Sequence, residues 1–126
     1  MTSSRSAAFF GLLMILAAPV TAQVEPNPAK GKILFMQCAA CHATTADAPE
    51  KVGPSLFGIY GAKVATRPDF TYSKSMAEEA FRWDDAHLAK FLQKPSGLVP
   101  GTKMVFGGIA DPARRADIIA YLKSLK

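Results

Sequence analysis

Cys38-Ala39-Ala40-Cys41-His42 is the stretch from which the rest of the chain is read. Two thiols one helical turn apart lie on the same side of the backbone, so both can form thioethers with the two vinyl groups of one porphyrin. The imidazole that follows is then held beside the iron. This Cys-x-x-Cys-His run is the attachment signature of a c-type haem. Three other uses of a Cys-x-x-Cys pair stay open at this point. A thioredoxin-like dithiol would accompany a βαβ pattern, and no such strand run is visible. A four-ligand zinc site needs two further soft ligands, whereas the chain has no third Cys and its other His is His87. A plain disulfide fits a chain to which haem is never attached.

Working outward, Asn27-Pro28 has the form of a helix start, with Asn at the cap and Pro in the first turn. A helix is expected from there through Phe35 to about the Cys pair. Gly31 inside it costs about 1 kcal/mol against Ala, so it is expected where another helix crosses closely, with Phe35 on the same face. Residues 43–70 contain Pro49, Gly53, Pro54, Gly58, Gly61 and Pro68 and carry no sustained period. They read as irregular loop wrapped over a flat cofactor, burying Val52, Leu56, Phe57, Ile59 and Tyr60. Ser75-Met76-Ala77-Glu78 has capping-box form and predicts a short helix toward Phe81. A further helix is expected from Asp84, striped by Leu88, Phe91 and Leu92 and ending before Pro95. Residues 95–108 read as loop again. Asp111-Pro112 opens a last helix whose apolar face is Ile118, Tyr121, Leu122 and Leu125. That face is the expected partner of Gly31 and Phe35. The pattern is all-α with long loops.

The chain has 126 residues, is 49% hydrophobic and bears a net charge of +5. That length is one domain, with a modest core of its own that a flat apolar haem would fill. The N-terminus reads as a cleavable signal peptide over residues 1–22. Arg5 is its positive end, Ala7 to Ala18 its apolar stretch, and Val20-Thr21-Ala22 its small-residue site before Gln23. The apolar stretch is short of the ~20 residues that span a bilayer. An uncleaved anchor is the alternative reading. Cleavage would leave residues 23–126 as the functional domain, with 14 Lys and Arg against 10 Asp and Glu, a net charge of +4. No basic stretch is interleaved with aromatics, which argues against nucleic acid.

His42 takes one face of the iron in this reading, and the second ligand decides the chemistry. Met36 precedes the Cys pair and reaches the opposite face poorly. Met76 and His87 sit on predicted helices, where packing or a surface role is the plainer explanation. Met104 lies in a Pro/Gly loop, Pro100-Gly101-Thr102-Lys103-Met104, that can bring backbone close to a ring.

With those residues assembled, the chain resembles the class I c-type cytochromes, the small soluble monohaem cytochromes c of mitochondria and their bacterial relatives. The resemblance covers nearly all of residues 23–126. Gly31 and Phe35 precede the haem-attachment run. Val52-Gly53-Pro54-Ser55-Leu56, Phe70-Thr71-Tyr72, Trp83 and Pro100-Gly101-Thr102-Lys103-Met104 follow in family order, and Ile118 and Tyr121 match the last-helix positions. The resemblance implies the class I fold: N- and C-terminal helices crossing, with short helices and long loops around one covalently bound haem c. It implies thioethers at Cys38 and Cys41, axial iron ligands at His42 and Met104, and a Pro54 carbonyl that orients His42. It also implies haem-propionate donors at Tyr72, Trp83 and Thr102.

Two positions depart from the family. Ala62 stands where Arg or Lys often lies near a propionate. Phe91 stands where mitochondrial members place a Tyr that reaches the Met sulfur. By resemblance the protein is a one-electron carrier and not an enzyme, and the export segment over residues 1–22 implies the periplasm. As a monomer it docks its lysine-ringed haem edge transiently on acidic redox proteins, with Lys51, Lys63, Lys94 and Lys103 as candidates. Donors of the type are quinol-oxidising complexes or dehydrogenases; acceptors are oxidases, reaction centres or peroxidases. The rival reading is a five-coordinate haem protein that binds CO, NO or peroxide, which holds if Met104 is not a stable ligand.

Overall fold

The computed structural model describes residues 11, 13–20, 23–49 and 51–126. Among them, six helices and one isolated antiparallel bridge, Lys63 to Arg82, are the regular structure. The helices are α1 (Pro28–Leu34), α2 (Met36–Ala39), α3 (Lys74–Ala77), α4 (Asp85–Gln93), α5 (Pro95–Leu98) and α6 (Pro112–Lys123). Arg5, Thr21 and Ala22, on which the expected signal peptide rests, lie outside the described residues. Residues 13–20 form no helix and leave Leu13 and Leu16 in solvent. Among the described residues no helix is long and apolar enough to cross a membrane.

Side-chain caps start the helices where the sequence placed most of them. Asn27 Oδ1 accepts from the N–H groups of Ala29 (2.9 Å) and Lys30 (3.1 Å). Asp84 caps α4 through the His87 N–H at 2.8 Å, and Asp111 caps α6 through the Ala113 N–H at 2.9 Å. Each cap satisfies donors that a helix N-terminus otherwise leaves to water. Asn27→Ala is therefore expected to cost about 1 kcal/mol of stability, read as a lowered urea midpoint with an unchanged slope.

The expectations fail at four places. α1 does not run unbroken to the cysteines: Phe35 forms a turn between α1 and α2. α3 is capped by Ser73, whose Oγ accepts from the Met76 N–H at 3.1 Å, and it ends at Ala77 well short of Phe81. Ser75 is inside the helix, and its hydroxyl instead pairs with that of Ser73. Pro95 does not begin a loop but sits in the first turn of α5. Val52 is 81% exposed rather than buried.

The core forms where α1 crosses α6. A Cβ on Gly31 would overlap the Asp117 carbonyl oxygen and lie 2.9 Å from Tyr121 Cβ, so the absence of a side chain is what lets the helices touch. Phe35 then meets the Tyr121 ring edge-to-face, centroids 5.2 Å apart. The Asn27 N–H donates to Asp117 Oδ1 at 2.7 Å, closing the N-terminal end of the crossing. Ile118, 1% exposed, Ile119 and Leu122 carry the core toward Leu88, Phe91 and Leu92 of α4. Val64, Trp83, Val99 and Ile109 join the same cluster from non-helical segments. The long loops are thereby fastened to the helices by burial, and they carry most of the site.

Candidate functional site

α2 and the turn after it present the two thiols. The Cys41 and His42 N–H groups both point back to the Cys38 carbonyl, at 3.0 and 2.9 Å, which folds the His42 backbone tightly under the helix end. Cys38 is half-buried against the core cluster, Cys41 is exposed, and both thiols are free. Burial, and then the neighbouring Cys41, push the Cys38 thiol above the usual range. Among the described residues no three His, Cys, Asp or Glu side chains gather into a metal cluster.

The loop after His42 folds back onto it. The Gly53 N–H donates to the Cys41 carbonyl and the Leu56 N–H to the Ala43 carbonyl, both at 2.8 Å. This brings the Pro54 carbonyl to 2.7 Å from His42 Nδ1. A carbonyl only accepts, so Nδ1 carries the proton and Nε2 keeps the lone pair a metal needs. Burial holds the imidazole below the usual histidine range; the Pro54 bond acts in the opposite sense, and the Lys51 charge adds to the lowering.

Gly53 is a residue that the sequence placed in a loop without assigning it a task. A Cβ there would stand 2.5 Å from His42 Cε1 and 2.8 Å from Nδ1. Its signal was its place directly before the proline whose carbonyl holds the ring. Gly53→Ala is expected to push the imidazole off the Pro54 carbonyl. It should cost about 1–3 kcal/mol, as overpacking does, seen as a lowered thermal midpoint together with an altered histidine ring environment by NMR.

The Met104 loop is tied to the rest of the fold at several points. The Thr102 N–H donates to Val99 O at 3.1 Å, the Met104 N–H reaches Thr102 Oγ1 at 3.3 Å, and Lys103 Nζ donates to Thr71 O at 2.8 Å. Ile109, five residues on, returns to α4 through Leu92 O at 2.8 Å. Met104 is half-buried and packs on the same apolar cluster as Cys38, while Val105 beside it stands in solvent. Met36 is largely exposed and Met76 is buried in the core, as the packing alternative for it required. His87 stacks on Phe81, centroids 4.4 Å apart, with Nδ1 2.8 Å from Asp84 Oδ1.

Trp83 is buried, edge-on to both Phe81 and Phe91, and makes no side-chain hydrogen bond among the described residues. Phe91 is thus a core residue whose ring supports the indole. Tyr72 is half-buried with its ring edge-on to Phe70. Burial raises its hydroxyl, while the Arg67 N–H and the Arg67 charge lower it. Ala62 belongs to the same wall: its carbonyl accepts the Trp83 N–H at 2.9 Å. Of the candidate docking lysines, Lys51 donates to Ala39 O at 2.7 Å and Lys103 to Thr71 O, Lys63 sits in the bridge, and Lys94 is exposed beside α5. Two free thiols, one oriented imidazole, one thioether in a fastened loop and an indole without a partner fit a flat, mostly apolar group bearing iron and acidic substituents.

Comparison with known proteins places the whole of this region in one family. The family model described as cytochrome c matches residues 28–126. The chain is 41% identical over 115 residues to cytochrome c2 of Rhodomicrobium vannielii, covering 91% of this chain and 90% of that one. It is 47% identical over 91 residues to cytochrome c2 iso-2 of Magnetospirillum fulvum, covering 72% and 94%. Among solved structures, cytochrome cH from Methylobacterium extorquens superposes with a TM-score of 0.73 at 41% identity, covering 78% of this chain and 98% of that one.

Proposed function

The chain belongs to the cytochrome c family, and from that premise we propose that it is a periplasmic one-electron carrier whose haem iron is held by His42 and Met104. It is an electron-carrying c-type cytochrome of the class I all-α fold with one covalently bound haem c. When bound, the haem supplies a single-electron Fe(II)/Fe(III) couple. Cys38 and Cys41 would hold the group as thioethers. His42 offers Nε2 because the Pro54 carbonyl occupies its other nitrogen. Met104 would offer a soft sulfur as the second ligand, a choice that favours Fe(II) and raises the reduction potential.

The observation that supports this reading most is the pairing of an imidazole fixed by Pro54 with a methionine packed on the same cluster as Cys38. Two side-chain ligands held by separate, independently fastened loops leave no iron position for a substrate. They also require little rearrangement when one electron moves, which suits transfer and not catalysis. Tyr72, Trp83 and Thr102 would donate to the propionates, and transient docking on acidic redox partners would use the exposed lysines around the haem edge. Residues 1–22 act in this reading as a cleavable export signal ahead of the 23–126 domain. Periplasmic residence follows from that export.

The test is a pair of visible spectra, oxidised and dithionite-reduced, of protein matured with covalent haem. Sharp reduced bands, a weak sulfur-to-iron band in the oxidised form and indifference to CO are expected. A broad high-spin spectrum that shifts with CO would replace this reading with a ligand-binding haem protein.

A further inference from the structure

Met104 stands midway between Val99 and Ile109, and the two limbs of its loop are held very differently. On the entry side the Thr102 N–H donates to Val99 O, the Met104 N–H to Thr102 Oγ1, and Lys103 Nζ to Thr71 O. On the exit side Val105, Phe106, Gly107 and Gly108 make no backbone hydrogen bond among the described residues, although Phe106 packs on the core cluster. The exit limb is therefore as firm as its stem at residues 108–110. There α4 supplies one half of the grip. The Ile109 N–H donates to Leu92 O at 2.8 Å, and a Cβ on Gly108, whose φ is +96°, would overlap the Gln93 carbonyl oxygen.

α6 supplies the other half through one side chain. Arg115 Nη1 donates to Ile109 O at 2.7 Å and to Ala110 O at 2.8 Å. Ile109 thus has its N–H on α4 and its carbonyl on α6. The guanidinium is half-buried and joins no carboxylate among the described residues. Its Nε is buried without a partner. A guanidinium placed for its own solvation or for an ion pair would not leave that donor orphaned; this one is held where Nη1 meets both carbonyls. Resting on the Met104 ligation proposed above, we propose that Arg115 is a positioning residue for the axial methionine. It clamps the exit stem of the loop to α6 and so holds the sulfur on the iron against competing ligands.

Displacement of the thioether by added imidazole reads this clamp. The loop has to open locally before the iron takes the new ligand, so the apparent affinity rises in proportion to the open population. The experiment is imidazole titration of the ferric holoprotein, followed by loss of the sulfur-to-iron band, in wild type, Arg115→Gln, Arg115→Lys, Arg114→Gln and Asn27→Ala. Arg115→Gln is expected to bind imidazole about tenfold to a hundredfold more tightly, the range for losing hydrogen bonds from a charged donor. Arg115→Lys keeps the charge but brings one amine to the two carbonyls, and should fall between that variant and wild type. It also carries the test if the glutamine variant does not fold. Arg114 is the exposed neighbour, so Arg114→Gln removes an equal charge outside the clamp. Asn27→Ala lowers global stability outside the loop. Both should titrate as wild type. A merely structural Arg115 would lower the thermal midpoint, as Asn27→Ala does, and leave the imidazole midpoint unmoved. Wild-type titration curves in both Arg115 variants would overturn the proposal, and so would an equal gain in Arg114→Gln or Asn27→Ala. A wild-type protein that lacks the sulfur-to-iron band before imidazole is added would remove the Met104 reading itself, and the clamp's role with it.

Discussion

Met104→Ala is expected to convert a low-spin protein indifferent to CO into a high-spin one that binds it, with a markedly lower reduction potential. The thioether is the soft ligand of the Pro100–Met104 loop, and the Lys103 amine beside it is bonded to Thr71 O. Met76 is locked in the core, Met36 points to solvent, and His87 is stacked on Phe81 and bonded to Asp84. Axial ligands set haem potentials over a range of about 0.8 V, so losing one is expected to move this protein by on the order of 0.1 V or more. Global stability should change less than function. Val99, Thr102, Lys103 and Ile109 keep the loop attached through bonds that do not involve the sulfur. The checks are visible spectra with and without CO and a redox titration. An unchanged spectrum in the variant would remove Met104 from the iron.

The second large effect falls far from the iron. Gly31→Ala should gain about 1 kcal/mol of helix propensity if α1 stood alone. Here the added methyl runs into the Asp117 backbone carbonyl and Tyr121 Cβ. Neither atom is the end of a flexible side chain, so relief requires α1 and α6 to separate. That loosens the Phe35–Tyr121 pair and the Asn27–Asp117 bond together. The overlap outweighs the propensity gain, and a net loss of about 3 kcal/mol or more is expected, as for severe overpacking. In a domain of ~100 residues this lowers the thermal midpoint by more than ~10 °C. A midpoint at or above wild type would show that the crossing tolerates a side chain.

The starts of α1, α4 and α6 with their caps at Asn27, Asp84 and Asp111, and the crossing at Gly31, were legible in the chain, and Met104 stood apart from Met36, Met76 and His87 as the candidate second ligand. These depend on residues close in sequence, or on a chemical type rare enough to be read by itself. The cap of α3 was misplaced by two residues: Ser75-Met76-Ala77-Glu78 has the capping-box spacing and Ser73-Lys74-Ser75-Met76 does not, yet it is the Ser73 hydroxyl that takes the Met76 N–H. The turn at Phe35 was not visible either: nothing in the local propensity breaks a helix there, and the residue keeps helical backbone angles, φ −66° and ψ −16°.

By itself, then, the sequence determined an all-α domain, the run that tethers a haem, and the identity of the candidate ligands, because covalent spacing and side-chain chemistry are local properties. Tertiary structure decided the contacts between segments far apart in the chain. It placed the Pro54 carbonyl on His42 Nδ1, made Gly53 the floor under that ring and left Val52 in solvent. Irregular loops carry no period from which a buried face can be read. Their side chains find partners only once α1, α4 and α6 have closed the core and given them a surface to pack on.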